Sequence, residues 1–112
     1  MREKEITTRM IPALEKKYGS SEVYEFEGKK YLSLGDPYLD SVWINTERPV
    51  PVYSCSVLEL GEPVDDSGYV RKLFMFWDVI RLGMEDESLA CDWEHPADVR
   101  DNGATFDVET LS

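Results

Sequence analysis

"YVRKLFMFWDVI", residues 69–80, is the longest apolar run in the chain, and the fold follows from how it is read. The run is short for a helix, and aromatic and β-branched side chains dominate it, which is the composition of a strand. Extended, it sets Tyr69, Leu73, Met75, Trp77 and Val79 on one face and Val70, Phe74, Phe76 and Ile80 on the other. Both faces are apolar. Such a strand is predicted to lie inside a sheet that is covered on both sides.

Working upstream, "GEPVDDSG" (61–68) is a polar connection, and "VPVYSCSVLEL" (50–60) and "SVWIN" (41–45) read as further strands separated by "TERP". Pro49 and Pro51 keep the start of the second of these off central ladder positions. "EVYEFEGKKYLSLG" (22–35) gives two short strands about Gly28-Lys29, with glycine at the first central position of a type II′ turn. That register sets Glu27 opposite Lys30 and Phe26 opposite Tyr31. "TRMIPALEKKY" (8–18) is predicted as an amphipathic helix, because Met10, Leu14 and Tyr18 recur on one side with Ile11 beside them. Thr8 is expected to cap its start and Gly19 its end, and Pro12 is tolerable only in the first turn.

Downstream, "DESLACDWEH" (86–95) has room for one or two helical turns, with Asp86 as cap and Leu89 and Trp93 on one side. "VRDNGATFDV" (99–108) reads as a small hairpin about Asn102-Gly103. The expected architecture is a single α+β domain over residues 1–112. It has an N-terminal helix packed on an antiparallel meander sheet of about four to six strands, with an acidic C-terminal section along one edge or face. A chain of 112 residues has room for one core.

The formal charge is −11, and it is unevenly placed. Residues 1–30 hold seven basic and six acidic side chains, and residues 31–82 hold four and eight. Residues 83–112 set nine acids against Arg100 alone, a net of −8. Direct binding of nucleic acid is disfavoured by this charge, since it repels phosphate and no basic patch with interleaved aromatics occurs. "MREKEITTRM" has no apolar signal region and no stretch approaches a membrane span, so a cytoplasmic protein without membrane contact is expected. Cys55 and Cys91 are then read as two separate buried thiols.

Three constellations bear on chemistry. Cys91 and His95 are four apart, the spacing of a metal or nucleophile–base pair on a helix, but Pro96 pushes His95 out of helical geometry. Residues 98–109 overlap a calcium loop, with Asp98, Asn102, Gly103 and Glu109 at ligand or turn positions. Arg100 puts a cation where an oxygen is needed, however, and the hairpin reading accounts for the same Asn-Gly. The acid pairs Asp65-Asp66 and Glu85-Asp86-Glu87 sit in polar connections that would not perturb a carboxyl pKa. No cofactor, metal or catalytic residue is expected, and an enzyme is unsupported.

The remaining feature is the acidic section itself. Glu85, Asp86, Glu87, Asp92, Glu94, Asp98 and Asp101 fall within 17 residues, and Trp93 and Leu89 are placed to anchor that stretch with its charges outward. Duplex DNA presents one negative charge per ~1.7 Å of axis, so an ordered carboxylate array can occupy the basic groove of a DNA-binding protein. In size, charge and lack of catalytic residues the chain resembles the small acidic proteins of phages and other mobile elements. Those proteins block nucleases, repressors or CRISPR effectors by imitating nucleic acid. The expected function is thus an inhibitor that engages a basic nucleic-acid-binding protein through these seven carboxylates. The alternatives are a subunit that self-associates, as a homodimer for example, through a sheet edge and exposed aromatics such as Tyr38 and Trp43, and a small-ligand-binding domain.

Overall fold

The computed structural model describes residues 4–40, 52–78 and 93–111. A 3-10 turn (Thr8–Met10) leads into helix α1 (Ile11–Tyr18). Six strands follow: β1 (Val23–Phe26), β2 (Lys29–Ser33), β3 (Tyr38–Asp40), β4 (Val52–Glu59), β5 (Tyr69–Asp78) and β6 (Asp98–Asp107). A second 3-10 turn covers Val108–Leu111. The sheet is antiparallel in the order β1-β2-β4-β5-β6, and β3 shares β4 with β2. β2 pairs with the Val57–Glu59 end of β4 and β3 with its Val52–Ser54 end. The fold is α+β, as composition and patterning predict. No helix among the described residues is long and apolar enough to cross a membrane.

Pro12 falls at the first positions of α1, where its missing N–H is an orphan in any helix. Gly19 ends α1 at φ 90°, and its N–H donates to the Glu15 carbonyl at 2.8 Å. Thr8 is not the cap: it is the first residue of the 3-10 turn, and the cap position falls on Thr7, whose hydroxyl makes no capping bond. Met10 and Leu14 are buried, whereas Tyr18 is half-exposed and tilts against Phe106 at 6.3 Å between ring centroids. The helix therefore closes one face of the sheet. Ile6, Met10 and Leu14 pack there with Leu32, Leu58, Val70, Phe106 and Val108.

The opposite face carries Tyr24, Tyr31, Cys55, Val57, Leu73, Met75 and Trp77. Trp77 is fully buried at its centre, edge-on to Tyr24 with centroids 5.2 Å apart. β5 is thus an interior strand with cores on both sides, as its two apolar faces require.

Two turns differ from the sequence reading. The β1–β2 loop is Glu27-Gly28, not Gly28-Lys29, with φ of 50° and 81°. Positive φ at both central residues is a type I′ turn, which matches strand twist as well as type II′ does but wants glycine second. Phe26 therefore faces Lys29, Glu25 faces Lys30 and Tyr24 faces Tyr31. Pairing slips by two residues, so each side chain keeps its face.

Asn102-Gly103 does not turn a hairpin. Residues 98–107 form one strand along β5, with pairing broken only between Arg71↔Thr105 and Leu73↔Asp101. Gly103, at φ 80°, sits in that irregularity, where β6 carries extra residues against Lys72. The long partner strand outweighs the local turn preference. The predicted strand at 41–45 and the predicted helical turns across 86–92 lie outside the described residues.

Candidate functional site

Of the seven carboxylates expected to face a partner, Glu85, Asp86, Glu87 and Asp92 lie outside the described residues. Glu94 is exposed in a turn directly after Trp93. Asp98 and Asp101 lie on β6, and both are engaged within the chain. One oxygen of Asp98 accepts the Val99 N–H at 2.9 Å and the other meets Arg100 Nε at 2.6 Å. One oxygen of Asp101 accepts the Gly103 N–H at 2.8 Å and the other pairs with Arg71 Nη1 at 3.2 Å. Asn102 and Asp107 repeat the pattern, accepting the N–H groups of Ala104 at 3.1 Å and Glu109 at 3.0 Å.

These local bonds occupy donors that an edge strand would otherwise offer to another chain. Asp65 does similar work in the β4–β5 connection, where one oxygen accepts the N–H groups of Ser67 and Tyr69, both at 2.9 Å.

Trp93, directly before Glu94, packs onto the sheet. Its ring packs edge-on against Tyr53 and Trp77, with centroids 5.1 and 5.2 Å away. Its carbonyl accepts the Trp77 indole N–H at 3.2 Å. Three aromatic rings, from β4, β5 and the turn, thereby pack together and hold Trp93 on the Trp77 face. The other proposed anchor, Leu89, lies outside the described residues.

The same face carries a groove of about 290 Å³ that the sequence reading missed. Phe26, Tyr31, Leu73 and Val99 supply its apolar surface, and Glu27, Lys29, Glu59, Arg71 and Asp101 its charges. These residues come from the β1–β2 turn and from β1, β2, β4, β5 and β6, so no local pattern could announce them. Lys29 pairs with Glu59 at 3.4 Å. Arg71 is held between Glu62 at 3.0 Å and Asp101 at 3.2 Å, and the Glu62 carboxylate is the main reason its pKa is raised. Burial raises the pKa of the Tyr31 hydroxyl, and the nearby charges of Glu59 and Glu27 raise it further. Glu27 makes no ion pair among the described residues.

Cys55 is buried at the sheet centre, and burial pushes its thiol pKa up to about 11. That makes it a poor nucleophile at neutral pH. Cys91 lies outside the described residues, and His95 is exposed. Residues 98–107 are extended, which sets Asp98 and Glu109 near opposite ends of a strand roughly 30 Å long and not around one ion. No group of three or more His, Cys, Asp or Glu among the described residues is arranged to hold a metal. No protein-family model matches the chain, and neither a curated protein nor a solved structure matches it.

Proposed function

We propose that this chain is a non-enzymatic binding protein whose carboxylate-rich section engages a basic, nucleic-acid-binding surface of another protein and blocks it. The observation that carries the reading is the seating of Trp93 on Tyr53 and Trp77, which fixes one end of residues 85–94 to a rigid sheet. An acidic segment tethered in this way loses less conformational freedom on binding than a free tail would. With net charge −8 in the last thirty residues, attraction to a basic cleft is long-ranged and falls steeply with salt.

The partner-facing charge in this reading rests on Glu85, Asp86, Glu87, Asp92 and Glu94. Asp98 and Asp101 contribute only if a partner displaces Arg100 and Arg71 from them. The test is retention of proteins from a cell lysate on the immobilised chain, followed by elution with salt or with duplex DNA. Release by both supports the reading, whereas retention that DNA does not reverse places the contact away from a nucleic-acid-binding surface.

Tyr38 and Leu39 favour a second reading. They are 51% and 48% exposed on opposite faces of the short strand β3, and such a strand can pair with a second copy. β6 is less suited to that role, because its own Asp and Asn side chains bond several of its N–H groups. Light scattering separates the two readings: a dimer that persists in high salt supports self-association through β3, and a monomer throughout contradicts it.

A further inference from the structure

The groove under the β1–β2 turn has a chemistry that can be read from its walls. Both of its cations are already compensated, Lys29 by Glu59 and Arg71 by Glu62 and Asp101. An anionic ligand would have to separate those pairs. A cation displaces nothing, because the Glu27 carboxylate makes no ion pair among the described residues. The apolar surface of Phe26, Tyr31, Leu73 and Val99 suits the aliphatic stem of a long basic side chain. An aromatic face adds attraction for a guanidinium, which is planar and weakly hydrated. At about 290 Å³ the groove falls at the lower limit of pockets that enclose drug-sized ligands, and a single side chain is a better match.

We infer that this groove receives an arginine side chain of the basic partner, with its guanidinium against Glu27 and Phe26 and its stem along Leu73 and Val99. The inference rests on the proposed function for the nature of the partner. It places a specific contact on the sheet face against which Trp93 packs.

The test uses acetyl-arginine-methylamide as probe and its citrulline counterpart, which has the same shape without the charge. Backbone amide shifts are followed by NMR on the full chain. The arginine probe is expected to shift Glu27, Gly28, Lys29 and Val99 with a millimolar dissociation constant, while citrulline leaves them in place. Glu27→Asn removes the charge at a position whose φ of 50° suits asparagine, so the fold is kept. It should weaken the arginine probe at least about tenfold, as loss of a charge-assisted hydrogen bond does. Glu27→Gln, which preserves side-chain length, should do the same.

Equal shifts from citrulline, no shifts at the groove, or unchanged affinity in both Glu27 variants would overturn the inference. The two proposals fail separately. If neutralising Glu85, Asp86, Glu87, Asp92 and Glu94 abolishes partner binding while the groove ignores the probe, the arginine seat is wrong and the acidic section stands. If the probe seats in the groove and neutralisation leaves partner binding intact, the arginine seat stands and the acidic section is wrong.

Discussion

β5 has two neighbours that became strands for different reasons. On one side, β4 is apolar, with Val52, Cys55, Val57 and Leu58 buried, and its register with β5 runs unbroken from Val52↔Asp78 to Val57↔Leu73. On the other, β6 buries only Phe106, carries Asn102-Gly103 in its middle, and loses register opposite Lys72. β4 is held by what its side chains bury. β6 is held by the backbone ladder that β5 offers, with Asp98, Asp101 and Asn102 closing donors that the ladder leaves over. A strand that buries little can thus be kept by its neighbour's ladder and by its own acceptor side chains.

The largest effect is expected on the β4 side, in the core that β4 and β5 share. Trp77→Ala should cost about 3–5 kcal/mol in urea unfolding, since a fully buried indole loses Tyr24, Trp93 and a hydrogen bond together. A cost below about 1 kcal/mol would contradict the placement of Trp77 at the core centre.

Cys55 gives a pH test of the same side. Its folded pKa is raised to about 11 from an ordinary 9.0, so the folded state holds the proton more tightly than the unfolded state. Its contribution is complete below about pH 9 and is lost as pH rises through about 11, with a slope of at most ~1.4 kcal/mol per pH unit. Denaturation between about pH 9 and 11 should show this slope, and Cys55→Ala should flatten it; an unchanged slope would locate the alkaline sensitivity in the tyrosines.

On the β6 side, Gly103→Ala should cost about 1 kcal/mol, because a Cβ there meets no neighbour and only the left-handed φ of 80° resists it. A neutral substitution would mean that the irregularity in β6 relaxes freely. Asp101→Ala should cost about 1 kcal/mol and Asp101→Asn less than half of that, because asparagine keeps the acceptor for Gly103 while losing the Arg71 pair. Equal losses would show that the ion pair, and not the backbone bond, is what Asp101 supplies. The smallest effect is a gain: Glu27→Asn should stabilise by about 0.5 kcal/mol by relieving positive φ at a non-glycine residue, read as a raised melting temperature.

Much of this organisation was legible in the sequence. β5 announced itself through two apolar faces, α1 through Met10, Leu14 and the Gly19 stop, and the β1–β2 hairpin through the glycine in "EFEGKKY". The turn position is ambiguous by one residue in the sequence, because type I′ and type II′ loops both put a glycine between such strands and only the pairing partner decides. Asn102-Gly103 reads as a hairpin because Asn-Gly is a strong local signal, and the ladder that overrides it belongs to β5, distant in the chain. The bonds that Asp98 and Asp101 make within the chain could not be read either. A carboxylate that closes a backbone donor on an edge strand looks in sequence like one that faces a partner. The groove was hidden for a related reason, since its walls come from five strands and one turn.

The measurement that bears most directly on the account is the salt dependence of affinity for a retained partner, compared between the intact chain and one carrying Glu85→Gln, Asp86→Asn, Glu87→Gln, Asp92→Asn and Glu94→Gln. The intact chain should bind tightly and with strong salt sensitivity, whereas the variant should fold normally by circular dichroism but bind weakly with a much shallower salt slope. Equal affinity and equal slope for the two chains would contradict it.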